Sequence, residues 1–265
     1  MQEKAGVQGT FALNAGFLTA SDLYALELAG RIKDKYPETR IIGISLCLDA
    51  SSACYRQGLI KALSLVCDRA YLVSDPEFVN PDALAQSRIL SRTIRVLEQT
   101  EGGMDIMVDG EQEQDGAMGV IGPMTAELLH IPSVSSVLTT DVEVNETSKS
   151  SICVDIKKRV EDETWWLRAM APLLLTVTNG EYDVRYPAFK RIRWANTQEI
   201  LPLTRKVLFD DGENLFTGVN AVTKLFRTFA SSRAGELMRI EGDDPAKAAR
   251  ILMSQLKLKV LSGQI

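Results

Sequence analysis

Residues 104–130, MDIMVDGEQEQDGAMGVIGPMTAELLH, hold the arrangement best suited to binding chemistry. Residues 104–108 are mostly apolar and read as a buried strand. A loop with Gly110, Gly116, Gly119 and Gly122 follows. Pro123 then suits a first helical turn, and Met124, Leu128 and Leu129 begin a helical spacing. Strand, glycine-rich loop and helix together present backbone amides and a helix N-terminus to a phosphate. Glycine serves there because it takes positive φ and lets a ligand approach the main chain. The stretch contains neither GxGxxG with an acidic residue downstream nor GKS or GKT. On these residues alone, an ordinary βα connection fits equally well.

General-base chemistry has little to draw on. The only histidine is His130, at the end of the helix after the loop. There an imidazole complements the helix dipole. A zinc site or a Ser-His-acid triad has no other histidine to use, so enzymatic chemistry falls to His130 or a cysteine. Cys47, Cys54, Cys67 and Cys153 show no CxxC spacing and read as reduced and buried, which suits the cytoplasm. With 265 residues, 45% hydrophobic and 25% charged, the chain reads as an ordinary soluble protein with one large domain or a domain and an appendage. A net charge of −5 argues against a nucleic-acid platform. No apolar run reaches the ~18 residues of a membrane span, and no signal-peptide pattern opens the sequence.

The elements that must position the loop follow from periodicity. Residues 1–18 are rich in Gly and Ala and read as loop. A helix capped at Ser21 or Asp22 carries the stripe Tyr24, Ala25, Leu28, Ala29 and Ile32. Residues 40–46, RIIGISL, read as a buried parallel strand. Ser51 caps a second helix, residues 70–73 form a strand, and Pro81-Asp82 opens a long helix. Residues 133–139 read as a further strand. Alternation through about residue 140 predicts βαβ units: an α/β fold with a doubly wound, mostly parallel sheet and helices on both faces. Ligands of such sheets sit at the C-terminal strand ends, where Ser45 and Gly110 line one crevice.

The pattern changes after residue 140. Antiparallel strands are predicted within about residues 151–178, turning at Glu161-Asp162-Glu163. Strand alternation puts Trp165 and Trp166 on opposite faces, one as a core anchor and one partly covered. Residues 180–203 mix Arg and aromatic types with little apolar period, and read as an exposed segment or one lying on a partner. A helix capped by Asp243 or Asp244, with Pro245 in its first turn, closes the chain. The division expected is an α/β nucleotide-binding-type domain over 1–203 and a C-terminal arm and helix over 204–265 contacting a partner subunit.

Separated pieces of the sequence, in one order over roughly residues 20–260, resemble the β subunit of electron transfer flavoproteins. Residues 22–27, DLYALE, are similar to the family's D-x-x-A-L-E helix start. Ile44-Ser45 falls where the family has an I-S-M-G strand end. Residues 105–112 and 115–123 are similar to its D-L-x-x-x-G-x-Q-x-x-D-G-D and V-G-P pieces. Arg185-Tyr186-Pro187 matches its P-R-Y-P, and residues 223–229 keep its T-x-x-x-R-T-F pattern at Thr223, Arg227, Thr228 and Phe229.

The resemblance implies a Rossmann-like fold of the adenine nucleotide alpha hydrolase type, with a C-terminal arm wrapping an α subunit. It implies FAD shared with that α subunit, and AMP or a second FAD in this subunit. Nucleotide contacts would fall on Ser45, Gly110, Gln112, Asp115, Gly116, Gly119 and Gly122. Docking on a dehydrogenase would fall on Arg185, Tyr186, Pro187 and Phe189. Such proteins relay electrons between dehydrogenases and an acceptor and do not themselves transform a substrate. The loop departs from the family: Ala117 replaces an Asp, Met118 stands at a position often Thr, and Val120 replaces a Gln. Each lost side-chain hydrogen bond to a charged ligand costs about 1.5–3 kcal/mol. The competing expectation is therefore a degenerate member acting as a non-redox binding or structural module.

Overall fold

The first helix, α1 (Ala20–Lys35), begins at a reciprocal cap. Thr19 Oγ1 accepts from the Asp22 amide at 3.1 Å, and the Asp22 carboxylate accepts from the Thr19 amide at 2.8 Å. The cap is thus Thr19, one turn before its partner Asp22, rather than Ser21 or Asp22, because only this spacing satisfies both ends. The computed structural model describes residues 18–47, 52–78, 81–111, 119–144, 152–210, 212–213, 221–223 and 244–261. After α1 come β1 (Ile42–Leu46), α2 (Ser52–Leu65), β2 (Arg69–Val73), α3 (Ala83–Glu101), β3 (Ile106–Gly110) and α4 (Ile121–Leu129). Next are β4 (Ser133–Val144), β5 (Ile152–Val160), β6 (Glu163–Met170) and β7 (Leu173–Val177). Then follow α5 (Phe189–Ala195), β8 (Leu201–Leu203), α6 (Arg205–Leu208) and α7 (Pro245–Leu261). The expected cap Ser51 lies outside the described residues, whereas Asp82 caps α3, its carboxylate accepting from the Ala85 amide.

The protein is α/β, and the described strands fall into two sheets rather than one. Order β1-β2-β8 makes a parallel three-stranded sheet. Order β3-β7-β4-β5-β6 makes a mixed one, parallel across β3, β7 and β4 and antiparallel from β4 to β6. Alternation along β2 explains how helices cover both faces of the smaller sheet. Ala70 and Leu72 point into a core with Leu59 and Leu63 of α2 and Ala195 of α5. Tyr71 and Val73 point into another with Ile89 and Leu97 of α3. In the larger sheet, Leu173, Leu175 and Val177 of β7 pack against Ala25 and Leu28 of α1. The fully buried β7 has neighbours on both edges and layers on both faces, so five consecutive apolar or small positions suit it.

Two sequence expectations need correction. Trp165 and Trp166 do lie on alternate faces of β6, but neither anchors a core: they are 49% and 68% exposed. β6 is the outer strand of the antiparallel extension, and only Leu167 and Ala169 reach the cluster beneath. Residues 180–203 are also more structured than their composition suggested. They contain α5 and β8, with Ala195, Ile200 and Leu203 buried. The pairing of β8 with β2, some 130 residues earlier in sequence, leaves no local period to read.

The chain divides into two compact units, Met1–Lys224 and Leu225–Ile265. In the second, Asp244 caps α7 by accepting from the Ala246 amide at 2.9 Å. Ile251, Leu252, Met253 and Leu256 are exposed on that helix.

Candidate functional site

Three of the glycines singled out in the sequence gather at the C-terminal end of β3. Gly110 is its buried last residue, and the first turn of α1 lies on it. A Cβ there would collide with the Asp22 carboxylate and sit 2.9 Å from the Asp22 amide. Glycine is therefore what lets α1 start directly over this strand end. Gly119 has φ 64°, the left-handed region, and a side chain would sit 2.9 Å from the Glu111 carbonyl. Gly122 lies in the first turn of α4, and a Cβ on it would be 2.6 Å from Thr176 Cγ2 and 3.2 Å from Asp109 Oδ2. Gln112, Asp115 and Gly116 lie outside the described residues.

These contacts bring α4 onto β3 and β7 with its N-terminus beside the loop. Its N-cap, Val120, makes no side-chain capping bond. Two hydroxyls are buried nearby without a hydrogen-bond partner among the described residues, Thr125 on α4 and Thr176 on β7. Glu111, the first loop residue, is tied down: its amide donates to the Val177 carbonyl at 2.9 Å and its carboxylate accepts from the Ser136 hydroxyl. Ser136 has φ 58° and sits where the β4 register shifts, so an irregularity in one strand holds the root of the loop. Ser45 stands at the corresponding end of β1, in the other sheet, opposite Leu72 of β2. Among the described residues no hydrogen bond joins it to the glycines.

His130 and Cys67 lie away from this arrangement. His130 ends α4 in the left-handed conformation, its amide donating to the Glu127 carbonyl at 3.0 Å. That end of a nine-residue helix is about 13 Å from the loop end. Cys67 is fully buried, and burial pushes its thiol up to about 12, so it carries no thiolate at neutral pH.

The second constellation is the segment 185–194. Arg185 turns inward. Its Nε donates to Glu27 Oε2 at 2.7 Å and its second nitrogen to Glu27 Oε1 at 3.0 Å, a two-pronged pairing with a carboxylate 6% exposed. Its main-chain amide also donates to Glu27, at 3.0 Å, and Asp34 receives a further bond at 2.7 Å. The carboxylates of Glu27, first, and of Asp34 raise the guanidinium above its ordinary range, against the opposing effect of burial. Gly30 makes room for this pair, since a Cβ there would be 2.8 Å from Arg185 Cζ. Arg191 provides the second anchor. It donates to the Leu63 and Cys67 carbonyls at the end of α2, at 2.9 and 2.6 Å, and lies over the Trp194 ring.

Between these anchors the chain faces outward. Tyr186 is 96% and Phe189 74% exposed, with Ile192 one turn further on, beside exposed Lys190 and Arg193; Pro187 is half-buried. Of the four docking residues expected, Arg185 is thus an internal strut, whereas Tyr186 and Phe189 are fully presented. The sequence reading missed Glu27 and Arg191. The available signal was a carboxylate one residue before Leu28, within the apolar stripe of α1, where an acid is found only with a partner.

These features define the class first: an α/β protein with one parallel and one mixed sheet, a glycine-bearing strand-to-helix turn and an exposed segment anchored at Arg185 and Arg191. A family model described as an electron transfer flavoprotein domain matches residues 10–204. Among curated proteins, the chain is 27% identical over 237 residues to an electron transfer flavoprotein subunit beta of Bacillus subtilis, covering 89% of this chain and 84% of that one. It is 28% identical to protein FixA of Azotobacter vinelandii, covering 89% and 81% respectively. It is 29% identical to the caffeyl-CoA reductase-Etf complex subunit CarD of Acetobacterium woodii, covering 91% and 86%. The chain belongs to the electron transfer flavoprotein family, on its β-subunit side. Proteins of this kind are electron-transfer subunits rather than enzymes. No helix among the described residues is long and apolar enough to cross a membrane.

Proposed function

We propose that this chain pairs with an α subunit of the same family and that the complex relays electrons from a dehydrogenase to an acceptor through FAD. The family match over residues 10–204 carries the reading. In this reading the sheet is the doubly wound, Rossmann-like type, with its ligand crevice at the C-terminal ends of β1 and β3. The strand end is suited to a phosphate: α4 starts without a side-chain cap, and Gly119 and Gly122 bring main chain close. Gly110, Gly119 and Gly122, with Ser45, Gln112, Asp115 and Gly116, would hold an AMP or a second FAD through backbone amides and short polar groups. FAD, once bound, supplies the redox chemistry, accepting and passing on electrons. What this chain's residues contribute is binding, orientation and exclusion of water; no general acid or base is needed. Tyr186, Pro187 and Phe189 form the docking surface for the dehydrogenase, held by Arg185 and Arg191 so that little ordering is left to be done on contact.

Co-expression with an α-type partner and an absorption spectrum of the purified complex test this. A flavin band at about one FAD per complex is expected. A stable complex without flavin would refute the relay. It would favour the degenerate binding module, which the replacements at Ala117, Met118 and Val120 already motivate.

A further inference from the structure

A cavity of about 140 Å³ opens between the second half of α1 and β4, bordered by Arg31, Lys35, Thr139, Thr140 and Tyr182 over Leu28. At the helical rise, Arg31 and Lys35 stand about 14 and 20 Å along α1 from Asp22, the residue that meets Gly110. The cavity is therefore separate from the glycine-bearing loop. Lys33 and Lys35, in the last turn of α1, answer the helix dipole. Arg31 stands just before that turn, and its charge has no such account. Its neighbours on the helix surface, four residues before and three after, are Glu27 and Asp34, and Arg185 takes both. Asp141 is taken by Lys35, at 2.6 Å. Arg31 makes no ion pair or hydrogen bond among the described residues, and its guanidinium lies over the Tyr182 ring, 5.1 Å from the centroid. That ring is itself fixed, its hydroxyl donating to the Tyr24 carbonyl at 3.0 Å. Lys35 is held as well, by Asp141 and by the Val142 carbonyl at 2.8 Å. Two cations one turn apart are thus set at the rim before any ligand arrives.

We propose that this cavity binds a small oxyanion of the phosphate type. The Arg31 guanidinium offers a fork of parallel donors to two oxygens. An ammonium has three N–H groups, so Lys35 keeps one after Asp141 and Val142 are served. Thr140 shares the strand parity of buried Val142, so its hydroxyl faces α1, and it has no hydrogen-bond partner among the described residues. Donors from three side chains on two elements suit the several oxygens of a tetrahedral ion, whereas the fork alone would satisfy a planar carboxylate. Two cations against the single carboxylate of Asp141 leave the cavity positive. The apolar floor at Leu28 strengthens that field. Pockets for drug-sized ligands hold roughly 300–1,000 Å³, so this one takes an ion or the phosphoryl end of a larger molecule and not a whole nucleotide. The proposal stands on α1 and β4 and is independent of flavin or nucleotide binding at the loop.

Nuclear magnetic resonance of the isotope-labelled full chain, titrated with inorganic phosphate at an ionic strength held constant with sodium chloride, tests this. The amide signals of Arg31, Lys35 and residues 139–142 are expected to move together and to saturate. Arg31→Gln should weaken binding at least about tenfold. Arg31 is exposed and bonded to nothing else among the described residues, so the variant keeps its fold, which circular dichroism checks. Arg159→Gln, at an exposed arginine of β5 outside the cavity, should bind as the parent does. The proposal is overturned if no saturable shift appears at these residues, if chloride alone produces the same shift, or if Arg31→Gln binds as tightly as the parent. Acetate binding as tightly as phosphate would overturn the tetrahedral assignment. Glycerol phosphate separates the two sources of the ion: tighter binding than phosphate assigns the cavity to the phosphoryl end of a larger metabolite, and equal binding to the free ion.

Discussion

Replacing Arg185 with alanine tests how the exposed segment is held. The substitution removes two hydrogen bonds to Glu27, at 2.7 and 3.0 Å, and two to Asp34, at 2.7 and 3.4 Å. The Glu27 carboxylate, 6% exposed, would be left without its cation. Taking one partner from a buried pair costs about 3–5 kcal/mol. Two features place this case at the lower end. The Arg185 main-chain amide still donates to Glu27, and the arginine side chain is 29% exposed, so water can reach the vacated space. The expected loss is about 3 kcal/mol, roughly a hundredfold in the folding equilibrium. Urea unfolding of the parent and Arg185→Ala proteins measures it. The same substitution in a Glu27→Gln background, where no charge remains to be stranded, should cost under about 1 kcal/mol. An Arg185→Ala protein within about 0.5 kcal/mol of the parent would refute the strut, as would equal costs in the two backgrounds.

Three other outcomes follow from the same contacts. Glu101 ends α3 and accepts from the Tyr71 hydroxyl, from Arg69 at 2.6 Å and from Arg40 at 2.8 Å. The Tyr71 bond first, then the two arginines outweigh burial and hold its carboxyl below the ordinary 4.5. Its contribution is therefore complete above about pH 4.5 and is lost as pH falls through the lower, folded value, so Glu101→Gln should flatten the acid limb of a stability-against-pH curve. Leu175, fully buried in β7, should cost about 2–5 kcal/mol as Leu175→Ala in thermal or urea unfolding. Phe189→Ser should leave unfolding within about 0.5 kcal/mol of the parent because the ring is already 74% exposed. In the electron-relay reading it should lower the apparent affinity for the dehydrogenase in a steady-state reduction assay, and unchanged affinity would remove Phe189 from the docking surface.

Much of the local architecture was legible because it obeys short-range rules. Alternating helical and extended periods placed β1, β2 and α3 close to their observed bounds, and Asp82 announced the start of α3; β7, expected among the antiparallel strands of residues 151–178, instead pairs parallel with β3 and β4. The cap of α1 needed a finer rule, since Thr19 and Asp22 satisfy each other only as a pair. The family was legible too, from ordered short motifs such as DLYALE and Arg185-Tyr186-Pro187 that no single period explains.

The tertiary structure decided which side of each motif faces the core. Arg185 and Tyr186 are adjacent in sequence and were read alike, but one is locked on Glu27, 158 residues earlier, and the other is almost wholly in solvent. Gly110 and Gly122 belong to one glycine-rich stretch, yet each also makes room for a distant neighbour, Asp22 or Thr176. Trp165 has the parity of a core residue but stands on the outermost strand, where no second layer reaches it. In each case the deciding contact comes from another part of the chain, brought close only by strand pairing and helix packing. Sequence by itself thus determined element types, the family and the candidate residues, because these depend on neighbours along the chain. Burial, anchoring and the division of the strands between two sheets depend on neighbours in space.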